Sequence, residues 1–297
     1  MSAFSSVKKA YRWAAERLGE QGEPAWFESE LLLRSALEWD RTRFFTRMDE
    51  PVPEEAADRF QTWVMRAAAG EPLQYLIGEQ AFFGRSFRVD PSVLIPRPET
   101  EILVERVLAE ADRIFGRRPV RVVDIGTGSG AIAVTLACER PHWEVWAIDL
   151  SPQALATAQA NAARHGVESR IVWRQGDLLE PLVTSGKHAQ VVVSNPPYIP
   201  RDVIPTLAKR VRDFEPVLAL DGGIDGLDVY RRIVGQLPDV LDDPALVAME
   251  VGAGQSDAVA EMLQQLPMEV RVDVTDDLAG IPRVVCANIQ KIRHDGD

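Results

Sequence analysis

The spacing of hydrophobic positions changes character twice along the chain. From Ser6 to about Gly70 apolar residues recur at helical offsets: "FESELLLRSALEW" brings Phe27, Leu31, Leu32, Ala36 and Leu37 together, and "EEAADRFQTWVMRAAAG" brings Phe60, Trp63, Val64 and Ala67 together before Gly70. This pattern predicts a small helical bundle. In "EPLQYLIGEQAFFGRSFRVDPSVLI" (71–95) Gly78 and Gly84 interrupt short aromatic and β-branched runs, as in a β-hairpin. After it a helix is predicted from about Glu99 to Phe115, with Ile102, Leu103, Val107 and Leu108 on one face.

Beyond "FGRRP" the texture alternates between strand and helix. Strands are predicted at Val120–Ile125, Glu144–Ile148, Arg170–Arg174, Gln190–Ser194 and Ala245–Val251, with helices between most of them, which is the pattern of a doubly wound parallel sheet. Two more, Val270–Val274 and Arg283–Ile289, are joined by "TDDLAGIP", which is too short for a helical crossover and so implies an antiparallel pair. The predicted fold is α/β: a Rossmann-like sheet of seven strands whose last pair is antiparallel, preceded by a small N-terminal helical domain and a hairpin connector. The expected boundaries are 1–75, 76–98 and 99–297. No internal repeat, low-complexity tract or heptad run is visible.

Composition narrows the class. A chain of 297 residues with 46% hydrophobic and 26% charged residues builds an ordinary globular core, and its formal charge of −12 argues against non-specific nucleic-acid binding, which needs clustered Lys and Arg. Residues 1–90 carry 12 Lys plus Arg against 15 Asp plus Glu, so no basic arm is present. The two cysteines, Cys138 and Cys286, have neither disulfide-framework nor metal-type spacing and read as buried thiols. "MSAFSSVKKAYRWAAERLGEQ" has no signal-peptide run, and no stretch reaches the ~18 apolar residues of a membrane span, so the expectation is a cytoplasmic protein that does not engage a membrane.

Two segments carry candidate chemistry. "VVDIGTGSGAIAVTLACERP" is strand, glycine-rich turn and helix; Gly126-x-Gly128-x-x-Ala131 meets the relaxed dinucleotide fingerprint, and Asp149 follows Gly126 by 23 positions, where a ribose-binding acid belongs. Nicotinamide dinucleotides and S-adenosyl-L-methionine both present such a ribose. Gly130, the third glycine, favours the latter, because a phosphate-free ligand needs close backbone approach rather than a pyrophosphate site. The bland readings are a tight turn for the glycines and a helix cap for Asp149, although Ser151 already supplies a cap. Asp177 in "RQGDLLEP" follows the third predicted strand, where it accepts a hydrogen bond from an adenine amino group or makes a turn.

In "VVVSNPPYIP" Asn195, Pro196, Pro197 and Tyr198 end the fourth strand on the same rim. Proline fixes φ and removes donors, so the carbonyls of this turn are held stiffly, and the Asn195 side chain adds an acceptor. Such a turn suits a planar –NH2 group. Accepting both its protons favours a more tetrahedral nitrogen with its lone pair aimed at a methyl donor, while Tyr198 packs on the flat face of the substrate; this is catalysis by orientation and preorganised dipoles. No general base is required, and His142, His165, His188 and His294 are scattered. A proline-stiffened surface loop is the plain alternative.

These residues resemble the amino-methyltransferases that use S-adenosyl-L-methionine and yield S-adenosyl-L-homocysteine, whose Asn/Asp-Pro-Pro-Tyr motif serves both adenine-N6 DNA enzymes and protein-glutamine enzymes. "VLIPRPETEILVE" (93–105), with "EPLQYLIGEQAFFG" and the later "RDFEP" (212–216), is similar to the bacterial HemK/PrmC family, glutamine-N5 methyltransferases of class I peptide chain release factors. The resemblance implies a class I methyltransferase sheet in 99–297, a substrate-docking role for 1–75, and methylation of the glutamine in a Gly-Gly-Gln loop. It implies cofactor contacts from Gly126, Thr127, Gly128, Ser129, Gly130, Asp149, Asp177, Leu178 and Asn195, and substrate contacts from Asn195, Pro196, Pro197 and Tyr198. Arg97 and Glu99 read either as partner or active-site contacts or as a buried pair locking the connector to the sheet. Two departures stand out: Leu178 where some members place Trp, and Pro282 where a charged residue precedes the final arginine. The competing readings are a ribosomal-protein glutamine methyltransferase, a DNA adenine-N6 methyltransferase, and a non-catalytic adenosine-nucleotide sensor. Pro-Arg-Pro-Glu-Thr counts against the first and the acidic composition against the second.

Overall fold

The computed structural model describes residues 4–19 and 23–292; His294 lies outside them. In chain order the elements are α1 (Val7–Leu18), α2 (Trp26–Leu37), α3 (Arg41–Thr46), α4 (Glu54–Ala68), α5 (Leu73–Ile77), β1 (Glu79–Phe82), β2 (Arg85–Arg88), α6 (Pro98–Phe115), β3 (Arg121–Ile125), α7 (Ala131–Glu139), β4 (Glu144–Asp149), α8 (Pro152–Arg164), β5 (Ile171–Gln175), α9 (Glu180–Ser185), β6 (Ala189–Ser194), α10 (Lys209–Arg212), α11 (Asp228–Gln236), β7 (Leu241–Glu250), α12 (Ser256–Gln264), β8 (Glu269–Asp276) and β9 (Pro282–Gln290). They form two compact units: the chain up to Glu79 with Ala208–Phe214, and Gln80–Leu207 with Glu215 onward.

In the first unit the helical spacing is realised as packing. Leu32, Leu33, Phe44, Phe60 and Val64 are fully buried in one cluster. Capping fixes where helices begin: the Ser6 side chain accepts from Lys9 N at 3.3 Å, and Asp40 accepts from Arg43 N at 2.7 Å. The second unit holds the β1–β2 pair and a seven-stranded sheet in the order β5-β4-β3-β6-β7-β9-β8. Neighbours from β5 to β7 run parallel, whereas β9 is antiparallel to both β7 and β8.

The near-continuous apolar runs of the central strands follow from burial on both faces. Val122, Val145, Val191, Val193 and Leu246 pack with α6 and α7, while Val123, Ile125, Ile148, Val192 and Val247 pack with α11 and α12. Strand β7 begins at Leu241, earlier than the predicted Ala245. The Asp242-Asp243-Pro244 stretch is poor in strand-forming residues and obscured that start; an irregular register between Ala189 and Val191 accommodates it. The chain steps from β3 out to β4 and β5 on one side and then crosses back to β6 on the other, which makes the carboxyl ends of β3 and β6 a topological switch point beside β4. Ligands of open α/β sheets collect there.

Candidate active site

The turn after β3 needs three left-handed residues in five positions, and it has glycine at each: φ is +69° at Gly126, +55° at Gly128 and +80° at Gly130. Their surroundings differ. A Cβ on Gly126 would meet nothing within 4 Å, whereas one on Gly130 would lie 3.0 Å from Ala158 Cβ and 3.2 Å from Val134 Cγ2. Gly130 therefore seats α7 against α8, and Gly126 leaves its face open. Buried Asp124 braces the turn from beneath: Oδ2 accepts from Thr127 Oγ1 at 2.7 Å and from Ala133 N at 3.1 Å. Burial without a positive partner pushes this carboxyl up to about 7.

Asp149 ends β4 beside that turn. Its Oδ2 accepts from Gly128 N at 2.9 Å and its Oδ1 from Ser151 N at 2.8 Å, which fixes the carboxylate plane and leaves each oxygen a further lone pair. Burial raises its pKa. Ser151 is itself the cap of α8, with Ala154 N donating to its Oγ at 3.1 Å, so Asp149 is not needed for that purpose. A cavity of about 470 Å³ opens here, lined by Gly126, Gly128, Asp149, Asp177, Leu178, Asn195 and Pro197 among others. Asp177 pairs across it with Arg232. Leu178 sits on the cavity wall with φ +50°, an unfavourable backbone for a branched side chain and of the kind that collects at ligand sites.

The donor set fits an adenosyl ligand. It combines a glycine face open to the cavity, a fixed carboxylate at the strand end, and apolar walls from Ile148, Leu150, Leu178 and Val229. Thr127, Ser129 and Gly130 are not among the lining residues. Thr127 bonds Asp124, and the Ser129 carbonyl accepts from buried Asn161 at 2.8 Å.

Asn195 and Pro197 face the same cavity. The turn they form is braced on several sides. Ser194 Oγ donates to Ile125 O at 2.8 Å, tying β6 to β3, and Gln255 Nε2 donates to Tyr198 O at 2.9 Å. Gly222, Gly226 and Gly252 crowd Tyr198 so closely that a Cβ on any of them would come within about 3 Å of it. Tyr198 packs against the apolar cluster on the α11 and α12 side of the sheet. Pro196 is buried beneath the turn. Asn195 Nδ2 donates to Thr100 Oγ1 at 3.1 Å, and Thr100 Oγ1 donates to Glu250 Oε2 at 2.6 Å.

Arg97 takes Glu215 of the "RDFEP" segment as its ion-pair partner, with Glu215 almost wholly buried. Glu99 is half-buried and close enough that its charge acts on Glu250, Tyr198 and Arg283. Reasoning from sequence alone passed over Glu250, Gln255 and the glycines around Tyr198. The signal was there in "EVGAGQ" (250–255): an acid, two glycines and an amide leave the fifth parallel strand on the rim where ligands bind.

Residues 9–78 match the family model described as PrmC N-terminal domain, and residues 98–211 match the one described as methyltransferase small domain. The release factor glutamine methyltransferase of Bacillus cereus is 42% identical over 284 residues, covering 96% of this chain and 99% of that protein. The enzyme of the same name from Bacillus subtilis is 40% identical over 289 residues, covering 97% and 99%. Among solved structures, a methyltransferase from Pyrococcus furiosus shares the fold, at 18% identity and a TM-score of 0.51, covering 78% of this chain and 98% of its own.

Proposed function

The chain belongs to the release factor glutamine methyltransferase family, and from that premise we propose that it methylates the side-chain amide nitrogen of the Gly-Gly-Gln glutamine of class I peptide chain release factors. The observation that carries the reading to particular residues is the shared cavity: Asn195 and Pro197 line the same space as Gly126, Gly128 and Asp149. A group held by the glycine turn and a group held by the Asn-Pro-Pro-Tyr turn are therefore neighbours.

The glycine turn, through Gly126 and Gly128, together with Asp149, Asp177 and Leu178 would hold S-adenosyl-L-methionine, which would supply an electrophilic methyl group. An amide nitrogen is a poor nucleophile because its lone pair is delocalised into the carbonyl. Asn195 Oδ1 and the Pro196 carbonyl accept its two protons, favour the tetrahedral nitrogen and orient its lone pair, while Tyr198 limits motion of the amide plane. The advantage is positional: it replaces a random encounter by a fixed approach. The dipoles around the nitrogen are set before the reaction, so little reorganisation is needed as charge develops. As the N–CH3 bond forms the sulfonium C–S bond would break, S-adenosyl-L-homocysteine would leave, and the nitrogen would release one proton to solvent, the proton accepted by Asn195 Oδ1 being the one already polarised.

No helix among the described residues is long and apolar enough to cross a membrane, and the acidic chain is suited to a protein partner in the cytoplasm rather than to nucleic acid. The test is transfer of labelled methyl from the cofactor to purified release factor, beside a release factor whose Gly-Gly-Gln glutamine is replaced by alanine. Label that depends on that glutamine is the expected result. Label in DNA, in ribosomal protein, or in neither release factor would sink the reading.

A further inference from the structure

Asn195 accepts a substrate proton only if its side-chain amide presents oxygen, not nitrogen, to the cavity. Nothing in the Asn-Pro-Pro-Tyr sequence determines which way the amide faces. The determinant lies behind it. Thr100, in the first turn of α6, and Glu250, the last residue of β7, are 4% and 2% exposed, and neither lines the cavity. They reach Asn195 because β6 and β7 are parallel neighbours with Ser194 opposite Met249, which puts Asn195 and Glu250 side by side one residue later. The backbone of Glu250 is anchored in turn: Tyr230 Oη donates to its carbonyl at 2.8 Å.

We propose that Thr100 and Glu250 are positioning residues, forming a relay that holds Asn195 with its oxygen toward the substrate amide. The deduction rests on proton count. A threonine hydroxyl has one proton, and an ionised carboxylate accepts only. At 2.6 Å the Thr100 proton is committed to Glu250, so Thr100 Oγ1 is left to accept from Asn195, which must then turn its –NH2 inward. Its Oδ1 is directed outward by default. Protonation of Glu250 reverses each polarity: Glu250 donates to Thr100, Thr100 donates to Asn195 Oδ1, and Asn195 offers –NH2 to a substrate –NH2. Two donors then face each other and the acceptor is lost.

The relay therefore makes transfer depend on the charge of Glu250. The groups facing it are Glu99 on α6, Arg283 on β9, Tyr198 after β6 and Tyr230 on α11. Burial and the charge of Glu99 push the carboxyl up, and the Thr100 hydrogen bond, Arg283 and a hydrogen bond from the Asn195 side chain pull it down, which leaves it at about 7. The active ionised form is present above that value and is lost as pH falls through it. This inference rests on the functional reading above, in which Asn195 binds the target amide, but part of its test does not.

The test joins two measurements on the full chain. In the first, the side-chain ¹⁵N–¹H₂ resonances of Asn195, identified by their loss in Asn195→Ala, are followed through a pH titration. They are expected to shift in one step near neutrality in the wild type, to stay flat in Glu250→Gln, and to move to solvent-exposed values in Thr100→Val. Resonances indifferent to pH in the wild type overturn the relay whatever the activity. In the second, turnover on release factor is measured for Thr100→Val, Thr100→Ser and Glu250→Gln, alongside affinity for S-adenosyl-L-homocysteine. The expected loss of kcat in Thr100→Val is roughly 10- to 100-fold, the scale of a displaced positioning contact. Thr100→Ser is expected to restore most of the rate, cofactor affinity to stay unchanged throughout, and the acidic limb of kcat to vanish in Glu250→Gln. Wild-type kcat in Thr100→Val, or an unchanged acidic limb in Glu250→Gln, overturns the relay. A wild type that labels no release factor but shows the titrating Asn195 signal defeats the functional reading alone.

Discussion

Gly126 and Gly130 both have positive φ, yet replacing each by alanine is expected to damage different properties. At Gly130 the added Cβ enters the left-handed region, at a cost of about 1–2 kcal/mol, and it meets Ala158 Cβ at 3.0 Å, Ala158 Cα at 3.2 Å and Val134 Cγ2 at 3.2 Å. Two of those atoms are a backbone-bound methyl and a backbone carbon, which cannot swing aside, so overpacking adds about 1–3 kcal/mol. The sum, about 2–5 kcal/mol, is a large part of a domain's stability. It corresponds to a Tm lowered by roughly 4–20 °C at the 2–4 °C per kcal/mol of a domain this size. Gly126→Ala carries the conformational cost without a clash, since nothing lies within 4 Å of its Cβ. That methyl instead occupies the face opening on the cavity, so cofactor affinity is lost, with every 1.4 kcal/mol worth tenfold. Thermal and urea denaturation without cofactor, paired with calorimetric titration of S-adenosyl-L-homocysteine, separate the two. The reasoning is refuted if both variants lose the same Tm, or if Gly130→Ala keeps its stability and only Gly126→Ala unfolds early.

Arg97→Met is expected to cost about 2–4 kcal/mol in urea denaturation, because it strands the buried Glu215 carboxylate; this is somewhat below the cost of breaking a wholly buried pair, since Arg97 is one-third exposed. Unchanged stability would show that the Arg97–Glu215 pair does not contribute to holding the fold. Asn195→Ala is expected to abolish transfer with little change in S-adenosyl-L-homocysteine affinity, and normal turnover would remove Asn195 from the mechanism. The Asp124 carboxyl is raised to about 7, so between its unfolded value near 4 and that point the folded chain binds a proton that the unfolded chain has released. Unfolding free energy is therefore expected to fall as pH rises through this window. Asp124→Asn should flatten the slope in part, the rest belonging to Glu250 and Asp149; a slope identical to wild type counts against the assignment.

The fold was legible because its core is two-sided. Strands buried on both faces read as β-branched runs, helices between them as 3.6-residue periods, and the short "TDDLAGIP" link allowed only an antiparallel pair. The start of β7 was not legible, since Asp242-Asp243-Pro244 contradicts strand propensity locally and is carried by pairing to β6. At the site, Gly126, Gly128, Asp149 and Asn195 announce themselves by residue type at strand ends. Thr127, Ser129 and Gly130 sit in the same motif but turn to Asp124, Asn161 and Ala158; a motif does not distinguish the residue that faces a ligand from the one that shapes the turn. Arg97 was ambiguous for a similar reason. Its partner Glu215 lies 118 positions away, and no local pattern points from one to the other.

Glu250 shows why the remainder needed coordinates. In sequence it is one acid among 45 Asp and Glu residues, at the end of an apolar strand where an unpaired carboxylate is costly. Its retention makes sense only when "PRPET", "SNPPY" and "EVGAGQ" are seen as one assembly, brought together because α6 packs over β7 and β6 is the parallel neighbour of β7. A buried carboxylate there is not a stability device, since burial pushes it toward protonation. What it adds is direction. It is an acceptor that cannot donate while ionised, and through Thr100 it decides which end of the Asn195 amide faces the cavity. In the proposed reading the Asn-Pro-Pro-Tyr turn is a rigid frame for a planar amide, but rigidity alone is indifferent to a half-turn of the asparagine side chain. The charge of Glu250, reached through Thr100 and by the Asn195 side chain itself, removes that degeneracy.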